Sequence, residues 1–170
     1  GEMERVYYDN LTGFRKWGYF EDFILPVYYD SKNFYNGDVQ RYVFCCEISN
    51  LAEINRKFGN DTGDIVYRRF GGIINAILAE KGAENIALRD GGGIVTGYIT
   101  GIPQTTVVDI MYRILKEVRN IPATEEKVAN VEVLFNAGIY REWKGSDAYR
   151  NIDVARKIMF QMEDGIASHV

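Results

Sequence analysis

A glycine triplet lies between two apolar runs in residues 86–99, which read IALRDGGGIVTGYI. Apolar runs of this length on either side of a turn signal predict two short strands joined as a hairpin. Glycines in such a turn allow the backbone to approach a phosphate group, so Gly91 and Gly92 are candidate nucleotide-binding residues. Turn geometry is the alternative explanation, because the positive φ angles of a tight hairpin favour glycine without any ligand.

A phosphate site of this kind usually needs carboxylates that hold a divalent metal ion. The residues after the glycine triplet are Ile94 and Val95, and neither side chain can bind a metal. Asp90 precedes the glycines, so we expect it to lie on the wrong side of the turn for a metal site. The hairpin sequence therefore predicts a backbone turn suited to a nucleotide phosphate, but it lacks the acidic residues that would hold a divalent metal ion there.

Few other side chains offer reactive chemistry. Cys45 and Cys46 are adjacent in an apolar run, where neighbouring side chains point to opposite faces of a strand. A bond between them would be strained, so we expect two buried, reduced thiols. The single histidine, His169, is the penultimate residue. Because no other histidine and no spaced cysteines are present, the sequence excludes a zinc site and a histidine-based catalytic triad.

The composition indicates an ordinary globular domain. The chain has 170 residues and a formal net charge of −4, and its length suffices for one domain with its own core. The mildly negative balance argues against nucleic-acid binding by phosphate neutralisation. No apolar stretch approaches the length of a membrane span, and the N-terminus lacks a signal-peptide pattern. We expect the leading Gly-Glu-Met to contain a cloning remnant and the chain to be part of a longer protein.

Hydrophobic periodicity predicts five helices and four strands. Within the third helix pattern, Gly71 and Gly72 each cost about 1 kcal/mol relative to alanine, which predicts close packing or a bend. Residues 33–38 are predicted as a loop. The alternation of helices with an antiparallel hairpin indicates an α+β fold with one mixed sheet. The predicted helices cover 18–31, with a kink or an end at Pro26, then 50–59, 59–82, 105–120 and 152–164; the strands cover 41–49, two segments around Gly91, and 130–140.

Four segments in the right order resemble the GGDEF domain of the diguanylate cyclase family. The similarity extends from about residue 9 to residue 165 and implies a nucleotidyl-cyclase palm-like fold, with helices around a central mixed sheet and the signature on a β-hairpin. Residues 9–23 (DNLTGFRKWGYFEDF) resemble the opening D-x-L-T-G motif of the family. Residues 45–64 (CCEISNLAEINRKFGNDTGD) resemble the stretch D-I-D-x-F-K-x-I-N-D-x-x-G-H-x-x-G-D. Residues 89–95 (RDGGGIV) resemble the signature R-Y-G-G-D-E-F, and residues 154–165 (VARKIMFQMEDG) resemble the closing helix.

The resemblance assigns the metal-binding carboxylates of the family to Glu47 and Ile94. Members condense two GTP molecules across a dimer of domains, and attack on the α-phosphate requires divalent metal ions. Glu47 is retained as a weak metal ligand, whereas Ile94 cannot act, so no catalytic residue is assigned. The family lysines that contact the triphosphate align with Ala52 and Glu163. A carboxylate at the second position would repel the triphosphate.

The guanine-contacting positions of the family match Asn55 and Asp64. An amide and a carboxylate together can pair with the donors and acceptors on one guanine edge. Alternatively, Asp64 stabilises a helix N-terminus and Asn55 satisfies a loop. The product-inhibition motif R-x-x-D aligns with GAEN at 82–85, which lacks both charges. We therefore expect no feedback binding of cyclic di-GMP at that motif.

The sequence thus predicts a degenerate, catalytically inactive GGDEF domain that serves as a regulatory or interaction module in bacterial cyclic-di-GMP-type signalling, with residual guanine-nucleotide binding. One alternative is an active diguanylate cyclase that uses substitute metal ligands. A second is a protein–protein scaffold without nucleotide affinity.

The expected partners are GTP or another guanine nucleotide, neighbouring domains of a longer signalling protein and a second copy in a homodimer, without nucleic-acid or membrane contact. No cofactor is expected, apart from Mg²⁺ if a nucleotide binds. The expected location is cytoplasmic, including the cytoplasmic part of a membrane-attached protein. The predicted domain covers 9–165, between an N-terminal tail or linker at 1–8, with the cloning remnant at 1–2, and a C-terminal tail at 166–170.

Overall fold

Six strands form one mixed sheet in the computed structural model, which describes residues 7–29, 40–80, 85–89, 91–143 and 145–169. The strand order is β1-β3-β4-β2-β5-β6, with parallel pairing at both edges and antiparallel pairing between the four inner strands. The strands are β1 (Arg15–Lys16), β2 (Arg41–Ile48), β3 (Asn85–Arg89), β4 (Val95–Thr100), β5 (Phe135–Arg141) and β6 (Gly165–His169).

Helices cover both faces of this sheet. Within the described segments, every helix is too short or too polar to cross a membrane. The segment α1 begins as an α-helix at Trp17–Tyr19 and continues as a π-helix over Phe20–Tyr29. The others are α2 (Leu51–Phe58), α3 (Asn60–Glu80), α4 (Gln104–Arg119), α5 (Ile121–Thr124) and α6 (Ala148–Phe160), with 3₁₀ turns at Gly91–Gly93 and Glu126–Val128.

Alternating side chains of β2 feed two hydrophobic cores. Phe44 and Cys46 belong to the larger core, which contains the buried faces of α3 and α4. Val43 and Cys45 belong to the smaller core, which contains side chains of α1 and α6. The strand is therefore buried on both faces, as its continuous apolar run predicts. Both cysteines are free and buried, which confirms that prediction.

The two glycines inside α3 have different environments. A Cβ on Gly71 would lie 2.9 Å from the carbonyl oxygen of Thr12 and 2.7 Å from its Cβ, so this glycine allows close packing of the opening motif on the helix. A Cβ on Gly72 would meet nothing within 4 Å. The helix continues through both residues, so the predicted bend is absent at this point of α3. Close packing on Thr12 accounts for Gly71, whereas no contact among the described residues accounts for Gly72.

The α+β prediction and the hairpin are confirmed, and the differences concern element ends and the two edge strands β1 and β6, which the sequence did not predict. The strand predicted over 130–140 begins only at Phe135, because the Asn50 side chain accepts a hydrogen bond from the Leu134 amide and donates to the Glu132 carbonyl. Residues 166–169, which the predicted domain boundaries place in a C-terminal tail, belong to strand β6 and pair with β5. Its pattern, GIASH, lacks the run of β-branched residues that predicts a strand. The predicted loop at 33–38 lies outside the described residues.

Candidate functional site

The hairpin turn takes its shape from its glycines. Arg89 of β3 pairs with Val95 of β4, and the connection contains a single 3₁₀ turn. Gly92 and Gly93 have φ angles of 78° and 91°, which side-chain-bearing residues rarely adopt. The Tyr67 hydroxyl of α3 donates a 3.0 Å hydrogen bond to the Gly93 carbonyl. The backbone therefore needs glycine at two positions for turn geometry alone, and phosphate binding by Gly91 and Gly92 stays a prediction.

An ion pair connects the opening motif, which begins at Asp9, to β3, the strand that precedes this turn. The Arg89 guanidinium lies 2.8 Å from the Asp9 carboxylate and 4.7 Å from the centre of the Tyr67 ring. The second Asp9 oxygen accepts hydrogen bonds from the amide and hydroxyl of Thr12, at 2.9 and 2.6 Å. Burial raises the pKa of Asp9, but the Thr12 hydrogen bonds and the Arg89 charge outweigh it and hold the pKa below its usual value.

Sequence reasoning matched Asp9, Thr12 and Arg89 to motifs but missed that they form one cluster. It missed Tyr67 altogether. The available signal was that Asp9 and Arg89 both match family motifs and have opposite charges, which makes them candidates for an ion pair. Nothing in the sequence singles out Tyr67 among the chain's 12 tyrosines.

One carboxylate lies beside an apolar side chain at the positions that the resemblance assigns to metal binding. Cys46 pairs with Val95, the first residue of β4, so Glu47 and Ile94 are the residues that flank this pair on the side of the turn. Glu47 is half-buried opposite Asn136 of β5, and burial raises the pKa of its carboxyl group. Ile94 packs against the smaller core, as does Trp17.

This donor set does not fit a pair of divalent metal ions. Two divalent ions need several oxygen ligands between them, and the family comparison retains a single carboxylate, Glu47. Among the described residues, no three histidine, cysteine, aspartate or glutamate side chains converge on one point. The metal assignment to Glu47 therefore stays a prediction with a single ligand.

The structure brings Asn55 and Asp64 together at the α2–α3 junction. Helix α2 ends at Phe58, and Gly59, with a φ of 95°, allows the chain to restart as α3. The Asn55 Oδ1 atom lies 1.6 Å from the position that a Cβ on Gly63 would occupy, so Gly63 makes room for this amide. Asp64 follows directly and is exposed. An amide and a carboxylate on one junction can present acceptors and donors to a purine edge.

The two positions that the resemblance aligns with the family's triphosphate-contacting lysines hold no basic residue in this chain. Ala52 lies exposed on α2, and Glu163 follows α6 with an exposed side chain. The Glu163 carbonyl accepts a 2.9 Å hydrogen bond from the Ser49 hydroxyl, two residues after Glu47, so the position that the resemblance aligns with a family lysine lies close to the end of β2. Residues 82–84 of the segment aligned with the inhibition motif, and Asp90, lie outside the described residues.

Solved GGDEF domains share this architecture. The GGDEF domain of DgcB from Caulobacter crescentus, crystallised with c-di-GMP, matches with a TM-score of 0.77 at 15% identity over 96% of this chain and 95% of that one. The FimX GGDEF domain from Pseudomonas aeruginosa matches with 0.76 at 13% identity, over 96% and 99%. Diguanylate cyclase SiaD from Pseudomonas aeruginosa, in complex with its activator SiaC, matches with 0.77 at 16% identity, over 95% of this chain and 61% of that one.

At these identities the structural matches establish the fold. No curated protein matches the sequence. The family model described as "Diguanylate cyclase, GGDEF domain" matches residues 6–165, which is nearly the whole chain. The chain therefore belongs to the GGDEF domain family of the diguanylate cyclases.

Proposed function

We propose that this GGDEF domain is catalytically inactive and acts as a regulatory or interaction module in bacterial cyclic-di-GMP-type signalling, with residual guanine-nucleotide binding. The observation that carries the proposal is the packing of Ile94 against the smaller core beside Glu47. An apolar side chain packed against the core stands where the resemblance places one of two metal-binding carboxylates, which leaves Glu47 as the single candidate ligand.

Phosphoryl transfer depends on charge stabilisation by metal ions and basic side chains. Loss of a single preorganised electrostatic contact commonly lowers kcat by about 10²–10³-fold. This chain lacks one carboxylate and carries Ala52 and Glu163 where the family has lysines. Because several such contacts are lost together, turnover at the family's rate is not expected.

The guanine end supports retained binding. Asn55 is held above Gly63 with its amide oxygen in the space that a side chain would fill, and Asp64 projects from the adjacent position. These two residues need no metal to contact a base. We propose weak binding of GTP or another guanine nucleotide at the α2–α3 junction, with Mg²⁺ accompanying the phosphates.

Partners of the relatives support a signalling role. The SiaD structure contains an activator protein, and the DgcB domain was crystallised with c-di-GMP. We propose that this domain likewise responds to a nucleotide or a protein and transmits a conformational signal to a neighbouring domain in the cytoplasm. Its partners would then be a guanine nucleotide and the flanking parts of a longer protein.

Incubation with GTP and Mg²⁺ or Mn²⁺, followed by chromatographic detection of cyclic di-GMP, tests the absence of catalysis. We expect no product above a Glu47→Ala control. Product formed by the unchanged chain and lost in that control would establish an active cyclase with substitute ligands. An Ile94→Glu variant restores the missing carboxylate and shows whether this position limits activity.

Calorimetry with GTP, GDP, ATP and cyclic di-GMP tests the binding proposal. We expect weak heats with guanine nucleotides that disappear in an Asn55→Ala, Asp64→Ala double variant. An affinity that the double variant leaves unchanged would place the ligand elsewhere. No heat with any nucleotide would favour the scaffold alternative.

A further inference from the structure

A groove of about 510 Å³ lies between α3 and α4, and α3 provides its floor. The floor residues are Gly72, Ile73, Ala76 and Ile77, which recur at the spacing of one helix face. Ile77 is buried beneath this surface, whereas the other three are exposed in full or in part. The volume is within the range of binding sites for small organic molecules, and such sites combine an apolar lining with a few polar groups.

Two short side chains keep the floor of the groove open. A Cβ on Gly72 would meet nothing within 4 Å, and Ala76, one turn later, is exposed. An alkyl chain that lies along this face would cover Gly72, Ile73 and Ala76 and would itself be removed from water. The hydrophobic effect favours that arrangement. The floor therefore fits the apolar body of a ligand, and the charges at the two ends decide its head group.

The end of the groove at the C-terminus of α3 is acidic. Glu80 forms an ion pair with Arg113 of α4, and Glu117, one turn after Arg113, is exposed on the same wall. Two carboxylates therefore share one guanidinium at this end. A ligand anion placed here would be repelled.

The opposite end of the groove is basic. Arg69 lies 4.0 Å from Glu125, at the limit of an ion pair, and about half of its side chain is exposed. Arg68 is exposed and lines the groove, and no carboxylate of the described residues pairs with it. Two guanidinium groups therefore have one distant carboxylate between them. Arg68 can accept an anionic group without displacing an existing ion pair.

We propose that this groove binds a straight-chain alkyl carboxylate, with its carboxylate at Arg68 and its chain along the floor. A guanidinium can bind both oxygens of a carboxylate, which orients the head group as well as attracting it. With a rise of about 1.5 Å per residue, Ala76 lies about 12 Å beyond Arg68 along the helix axis, so a chain of medium length covers the floor. Because the far end is acidic, one carboxylate is preferred over a dicarboxylate. The groove includes neither Glu47 nor the Asn55–Asp64 pair, so the proposal is independent of the proposed function.

An NMR titration of the isotope-labelled 170-residue chain with octanoate tests the proposal. Amide shift changes should cluster on the groove-lining segments of α3 and α4, with a Kd on the order of 1 mM for so small a ligand. Octanol and octylamine have the same alkyl chain with no charge and with a positive charge, and each should bind at least about threefold more weakly than octanoate. Equal or tighter binding of octylamine would overturn the charge assignment, and shift changes confined to other parts of the chain would overturn the site.

Arg68→Ala tests the head-group contact and should weaken octanoate binding by about threefold to tenfold. Arg56→Ala is the matched control, since Arg56 is an exposed arginine of α2 outside the groove and its removal changes the net charge equally. This control should leave the affinity unchanged. Equal weakening by both variants would show that octanoate responds to net charge and not to Arg68.

Gly72→Leu tests the open floor and should abolish the shift changes in the groove, because the leucine side chain would occupy the space of the alkyl chain. Ala79→Leu is the control at an exposed position of α3 outside the groove and should bind like the unchanged chain. Circular dichroism checks that both variants keep the fold, as the open space around Gly72 predicts. Unaltered binding by Gly72→Leu, or no response of the unchanged chain up to about 10 mM octanoate, would refute the proposal.

Discussion

The α2–α3 junction and the signature turn are neighbouring parts of the candidate site, since Leu51 of α2 lies 3.4 Å from a Cβ built on Gly93. At the junction, Asn55 and Asp64 are polar residues at the positions that the resemblance aligns with the family's guanine contacts, and Gly63 leaves the space that Asn55 occupies. At the turn, glycines keep the backbone shape, but Ile94 replaces the acid.

The comparison of these two regions indicates that the backbone shape of a site and its charged side chains can be lost independently of each other. A turn with positive φ angles and a bond from Tyr67 is part of the folded scaffold, so its loss would lower stability. A metal-binding carboxylate contributes little to stability, and beside a second acid it lowers it. An apolar side chain in place of such a carboxylate is therefore favourable for the fold, and under the proposed loss of catalysis nothing opposes that replacement.

The largest expected effect concerns the packing that supports the turn. Gly71→Ala should destabilise the fold by about 2–3 kcal/mol, because its Cβ would overlap the Thr12 backbone. Gly72→Ala is the matched control and should stabilise by about 0.5–1 kcal/mol, because it meets open space. Urea denaturation of the three proteins measures both changes. Equal effects of the two substitutions would contradict the assigned packing.

The Asp9 cluster gives a pH-dependent prediction. Asp9→Asn should cost about 1 kcal/mol at pH 7, because it removes the charge that faces Arg89. The folded-state pKa of Asp9 is below its ordinary value of 3.8, so the folded state releases this proton more readily than the unfolded state. The carboxylate's stabilisation is therefore complete above about pH 4 and is lost as the pH falls through the lower, folded-state pKa.

Denaturation curves of wild type and Asp9→Asn between pH 2 and 7 measure this dependence. The difference in free energy of unfolding between the two proteins should become smaller as the pH falls below about 4. A gap that stays constant across that range would show that the Asp9 charge does not hold the strand.

How much of this could be predicted from the sequence depends on whether the determinants are local. The β2 run and the periodic faces of α3 and α4 carry their own signals, so the fold class and hairpin were predictable. The start of β5 was not, because Asn50 binds residues 132 and 134 from across the chain. Strand β6 was missed because its pairing with β5, and not its composition, makes it a strand.

The candidate site divides in the same way. Residue types predicted that Ile94 cannot bind a metal, and the structure adds that it packs against the smaller core. Residue types also nominated Asn55, but only the three-dimensional contact shows why Gly63 accompanies it. The Asp9–Arg89 pair spans 80 residues, and no local pattern reports such a distance.

Restoring the acid tests the turn directly. Ile94→Glu should destabilise the metal-free protein by about 1 kcal/mol, because it removes apolar packing and places a carboxylate next to Glu47. Mn²⁺ should then raise the melting temperature of this variant but not that of wild type, since two carboxylates can share one cation. Ile94→Gln is the control for polarity without charge. An equal Mn²⁺ response in wild type would show that Glu47 alone anchors the metal.

The smallest effect should come from Glu47 itself. Burial raises its folded-state pKa above the ordinary value of 4.5, so the ionised carboxylate at pH 7 is a net cost to the fold. Glu47→Gln should therefore stabilise the protein by a few tenths of a kcal/mol at pH 7. The gain should shrink as the pH falls through the folded-state pKa and vanish near pH 4.5, which paired thermal melts at several pH values measure. Destabilisation by this substitution at neutral pH would mean that Glu47 holds the fold, and its retention would then need no metal or nucleotide to explain it.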